Sequence, residues 1–98
     1  MVRRKRKLVL KVRHLDSKTI GVVIAHLVGE HEYIVRRLNS LARKYKSEAF
    51  EWIDREIDGE VEVNTFILRF SKRHPPVQRL KNAIKRLLGK RYEVKLSR

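Results

Sequence analysis

Three groups of side chains in this sequence have the types that do chemistry. His26, Glu30 and His31 lie close together, and His26 and Glu30 are one helical turn apart, a spacing that can hold a metal. The pattern is not HExxH, no distant third ligand accompanies it, and His31 falls on an apolar seam, so no metal or cofactor is expected. His14, Asp16 and Ser17 carry the types of a hydrolytic triad. Sequence neighbours at a turn rarely form one, and helix capping explains Asp16 and Ser17 more simply. Glu56, Asp58, Glu60 and Glu62 could gather a divalent ion, but at an Asp-Gly hairpin tip they read as solvated charge. There is no P-loop and no GxGxxG, so the chain is not expected to be an enzyme, and no small-molecule substrate is evident.

The charge balance says more. Lys and Arg number 25 against 11 Asp and Glu, a formal charge of +14 over 98 residues. A field that strong draws polyanions, and nucleic acid is the default partner of so basic a domain. The signs are unevenly placed. Residues 1–18 hold eight bases and one acid, residues 69–98 eleven bases and one acid, and residues 48–62 seven acids around the single base Arg55. A polyanion should follow the two ends and avoid the middle. Without cysteine there is neither a disulfide framework nor a thiolate site. No apolar run reaches the ~20 residues of a membrane span, and the basic start lacks the apolar core of a signal peptide, so a cytoplasmic protein without a membrane partner is expected. One Gln and three Asn beside many charges fit a thermophile.

The elements that must position these charges begin with Arg3, Arg4 and Lys5, part of a basic arm read over residues 1–6. From Lys7 to Arg13 the pattern alternates. Leu8, Leu10 and Val12 mark one face of a strand, and Lys7, Lys11 and Arg13 the other. Ile20, Ile24, Leu27, His31, Ile34, Leu38, Leu41 and Tyr45 then recur at three and four, which predicts a long helix from about Ser17 to Lys46, bent at Gly29. The alternative is a second strand over the β-branched TIGVVIAHLV, with a helix beginning near Gly29.

Asp58-Gly59 predicts a two-residue hairpin turn between strands 48–57 and 60–70, pairing Ile57 with Glu60, Trp52 with Thr65 and Phe50 with Ile67. Phe50, Trp52, Val61, Val63 and Ile67 then share a face. Glu60 and Glu62 alternate with Val61 and Val63. If that phase continues, Phe66, Leu68 and Phe70 face solvent, and Phe66 and Phe70 become a stacking platform edged by Arg69, Lys72 and Arg73. A bulge near Asn64 or Thr65 would instead bury all three apolar residues. His74-Pro75-Pro76 leads into a helix with the stripe Val77, Leu80, Ile84, Leu87 and Leu88, capped by Gly89, and Tyr92, Val94 and Leu96 alternate as a last strand.

The expected order is βαββαβ in a single domain over residues 1–98. Right-handed crossovers make it an α+β ferredoxin-like sandwich, an antiparallel four-stranded sheet with two helices on one face and a long first helix. That order is similar to the RNA-recognition-motif family, whose central strands stack bases on aromatic residues. The resemblance is of element order alone. FILRF lacks the family's glycine-containing aromatic motif, and Val9 stands where the family prefers an aromatic. The expected function is binding of RNA or single-stranded DNA, with little sequence specificity, by a basic sheet face. The site residues are Arg3, Arg4, Lys5, Lys7, Lys11, Arg13, Phe66, Arg69, Phe70, Lys72 and Arg73. The alternative is an interaction module, a homodimer pairing acidic and basic faces.

Overall fold

The computed structural model describes residues 5–97. β1 (Arg6–Asp16) and β2 (Thr19–Leu27) form an antiparallel hairpin. Ser17 and Lys18 make its turn, and the Lys18 amide donates to Asp16 Oδ1 at 2.8 Å. Asp16 therefore closes a hairpin and does not cap a helix. α1 (His31–Lys44), β3 (Ala49–Asp58), β4 (Val61–Arg69), α2 (Val77–Leu88) and β5 (Tyr92–Leu96) follow.

The five strands lie in the order β3-β4-β2-β1-β5, with β5 parallel to β1 and the other neighbours antiparallel. The class is α+β with two helices, but the sheet is five-stranded and mixed instead of four-stranded and antiparallel. The extra strand also ends the match in element order to the RNA-recognition motif.

The long first helix is the main correction. Residues 19–27 are β2, and α1 starts only at His31. Ile20 and Ile24 are four apart, and four is a multiple of the strand period as well as about one helical turn. The β-branched Thr19, Ile20, Val22, Val23 and Ile24 settle into a strand, where their stiff χ1 angles pack well. β2 is central and buried on its inner side, so Gly21 and Ala25 are the small residues of its outer side.

Both helices cover one face. Ile34, Leu38, Leu41 and Ala42 of α1 and Leu80, Ile84 and Leu88 of α2 close over Leu8, Leu10, Val12, Ile20, Val22, Ile24, Phe66 and Leu68. β4 runs without a bulge, and its phase does continue: Glu62, Asn64, Phe66, Leu68 and Phe70 all point inward. Phe66 is 0 % and Phe70 6 % exposed, so neither ring stands on an open face. The bulge lies across the hairpin in β3, between Trp52 and Asp54.

The hairpin closes at Asp58 and Val61, and Gly59 takes φ 62°, a conformation glycine adopts without a Cβ clash. The register is therefore Ile57 to Glu62, Trp52 to Phe66 and Phe50 to Leu68. The pairing expected from Ile57 and Glu60 is shifted. Phe50 and Trp52 face the helices, while Val61, Val63 and Ile67 face away. Arg6 belongs to β1, and residues 1–4 of the arm expected over residues 1–6 lie outside the described residues. No helix among the described residues is long and apolar enough to cross a membrane.

Candidate nucleic-acid interface

The face of the sheet away from the helices is graded in charge. Cross-strand partners share a face, so the registers place Lys95, Val9, Ala25, Val63 and Glu56 in one row. The next row reads Lys11, Val23, Thr65 and Asp54, and the third Arg13, Gly21, Ile67 and Glu51. Each row runs from a base at the β1–β5 side, through small or apolar residues, to an acid on β3. The bulged Leu15 folds over Gly21, where a Cβ would meet Leu15 Cδ1 at 3.3 Å.

The expected site residues are therefore divided. Lys7, Lys11 and Arg13 share the outer side of β1. Arg69 is on the same face but across the sheet, within 3.7 Å of Glu51. Lys72 and Arg73 are exposed in the loop before α2. Phe66 and Phe70 are in the core and are removed from any binding surface. Arg3 and Arg4 lie outside the described residues. Lys5 is elsewhere altogether, its Nζ donating to the Gly89 carbonyl at 2.6 Å just past the end of α2.

Lys5 leads to a surface that the sequence pattern does not single out. The outer side of the helical layer carries Arg36, Arg43 and Lys44 from α1 and Arg79, Lys85 and Arg86 from α2, all exposed, with Lys90 beyond. Its acid is Glu32, in the first turn of α1. A groove of about 280 Å³ between the helices is lined by Ser40, Leu41, Lys44, Tyr45, Ala83, Arg86, Leu87 and Lys90. A second depression, lined by Lys5, Asn82, Lys85, Arg86, Gly89 and Lys90, shares Arg86 and Lys90 with it. The two make one continuous cationic trough without an acid in its lining. The signal is present in residues 77–91, which hold six bases and no acid, but only the packing of α2 against α1 joins them to Lys44 and Lys5.

The chemically suggestive groups of the sequence are also separated. Glu30, 8 % exposed, accepts from Arg6 and from the Tyr92 hydroxyl at 2.9 Å, with Arg91 at 3.4 Å, and so ties α1 to β1 and β5. His14 hydrogen-bonds His74 between ring nitrogens at 2.8 Å, while Asp16 is held by the Lys18 amide. His26 enters a polar network inside the fold. Asn64 Nδ2 lies 2.8 Å from His26 Nε2 and donates to Glu62 Oε2 at 2.8 Å, and His26 Nδ1 lies 2.8 Å from the Leu27 carbonyl. These partners place the proton of His26 on Nδ1. Arg55 donates to Glu62 Oε1 at 3.1 Å, and His31 Nδ1 stands 3.6 Å from Glu62 Oε2.

Burial pushes the Glu62 carboxyl up. The hydrogen bonds from Asn64 and Arg55, with the charges of Arg55 and His31, outweigh it and hold the group below the usual carboxylate range. Among the described residues no three metal-ligating side chains converge. The network joins β2, β3, β4 and α1 and offers no nucleophile beside its histidines. No protein-family model matches this chain, and no curated protein and no solved structure does either.

Proposed function

We propose that this chain binds nucleic acid by its phosphate backbone, with the helical layer and not the open sheet as the contacting surface. One observation carries the reading: Lys5, Lys44, Lys85, Arg86 and Lys90 converge on a continuous trough whose lining holds no acid. Bases in the last turn of each helix answer the helix dipole. Arg36, Arg79 and Lys90 lie outside those last turns, and among the described residues no ion pair engages them. A row of phosphates supplies the missing anions.

The open sheet is a poorer surface for a polyanion. Glu51, Asp54, Glu56 and Asp58 line its β3 side, and the rings that would have stacked bases are in the core. A preference for RNA or single-stranded DNA needs those rings on the surface. Without them, recognition rests on charge, and the denser charge of a duplex favours it over a single strand. Sequence should matter little, because phosphate contacts position a protein without reading bases.

A salt titration comparing single-stranded RNA, single-stranded DNA and duplex DNA tests the proposal. Affinity should fall linearly on logarithmic axes, with a slope of about 0.9 per phosphate contacted on duplex and about 0.7 on single strands. Affinity that is independent of salt, or absent for all three ligands at low salt, would overturn it.

A further inference from the structure

The open face of the sheet carries a second, independent surface. We infer that it is a self-association face, packing against the same face of a second copy about a two-fold axis that runs parallel to the strands between β2 and β4. Charge order selects both the occupant and the axis. In the three rows through Val9, Lys11 and Arg13 the base stands on the β1–β5 side and the acid on β3, with apolar or small residues between them. Rotation by half a turn about an axis along the strands lays β3 of one copy over β1 of the other. Lys11 then faces Asp54, and Arg13 faces Glu51. A two-fold axis across the strands would put β3 over β3, acid against acid, and is disfavoured.

The middle of the face suits such contact. Val9, Leu27 and Val61 are 39, 37 and 45 % exposed, unusually wet for their types, and Val23, Val63 and Ile67 are half-buried beside them. The four strands that overlap, β3, β4, β2 and β1, are nine to eleven residues long and, at about 4.8 Å apart, make a face of roughly 570 Å² in plan. Specific interfaces begin at about 600 Å² from each partner. Two twisted sheets pack in this way at about 10 Å separation with strands roughly aligned. The net charge of the chain does not forbid it, because the helical layers point outward on both sides. Their cations are separated across the pair by more than the Debye length of about 8 Å at physiological salt. The trough stays open in the pair, so association and nucleic-acid binding do not compete.

Sedimentation equilibrium of the nuclease-treated full chain, up to about 100 μM in physiological salt, reads the result. The wild type should be a dimer. K11E and D54K, each with unchanged circular dichroism, should weaken the dimer at least about tenfold. The double variant K11E/D54K should recover it, because the swapped pair faces itself across the axis. A wild-type monomer over the whole range would overturn the inference. So would a dimer indifferent to both single changes, or a double variant no tighter than the singles.

Discussion

The indole Nε1 of Trp52 donates to Asn64 Oδ1 at 2.8 Å, and that bond fastens the edge strand β3 to the polar network inside the sheet. Trp52 is 41 % exposed, with one face against Phe66 and His31 and Arg55 within 5.8 Å of its ring centre. Asn64 is fully buried and serves Trp52, His26 and Glu62 together. One amide thus satisfies three partners inside the fold.

Asn64→Ala should consequently be costly. It leaves a carboxylate, an imidazole and an indole without their shared partner, and each uncompensated buried polar group costs ~1–3 kcal/mol. A loss of about 2–4 kcal/mol in urea unfolding is expected. A loss below ~1 kcal/mol would mean that water enters the network.

Acid should act through the same site. The native environment holds the Glu62 carboxyl below its ordinary value of 4.5, so the charged form favours folding. That contribution is complete above the unfolded value and disappears as pH falls through the lower native one. Stability measured from pH 6 down to 2 should decline below about pH 4.5. Glu62→Gln should flatten part of that decline. Asp16, held low by the Lys18 amide, should supply a separate part that survives in the variant.

Alkali should act at Tyr92. Burial first, and then the hydrogen bond to Glu30, push its hydroxyl above the ordinary value of 10. The neutral form favours folding, so stability should fall as pH rises beyond about 10. Tyr92→Phe should remove this alkaline loss in thermal melts, while weakening the fold at neutral pH by leaving Glu30 with one partner fewer.

Phe66 and Phe70 should behave as core residues. Alanine at either position should cost ~3–5 kcal/mol of stability, and any loss of nucleic-acid affinity should follow the unfolded fraction. Calorimetry paired with a binding curve below the melting point separates the two effects. A stable Phe70→Ala variant with weakened binding would restore the stacking platform.

The two basic surfaces can be ranked by charge removal. Glutamine at Lys85, Arg86 and Lys90 should lower the duplex salt slope by up to about 0.9 for each phosphate no longer neutralised. Glutamine at Lys7, Lys11 and Arg13 should change it less, because that face also carries the β3 acids. The reverse ranking in filter binding would return the site to the sheet.

The sequence by itself determined the local and the additive. It specified a basic chain of α+β class with two helices, with α2 and its stripe at Leu80, Ile84 and Leu88 plain from period alone. It located a hairpin turn at Gly59, one residue out of register, the acidic hairpin at one edge of the sheet, and the last strand at the other. These features depend on neighbours in the chain or on summed charge. Tertiary structure decided whatever depended on partners. Ile20 and Ile24 fit both periods, and only the pairing of β2 between β1 and β4 made residues 19–27 a strand. Glu62 and Asn64 read as wet because a polar side chain normally stays in water. They are inside because Arg55, His26 and Trp52, distant in sequence, arrive to satisfy them. That reversed the meaning of the β4 alternation and took Phe66 and Phe70 into the core with them. The trough is decided in the same way, since Lys5, Lys44 and Lys85 meet only when α2 packs against α1 and its C-terminal end lies beside the start of β1.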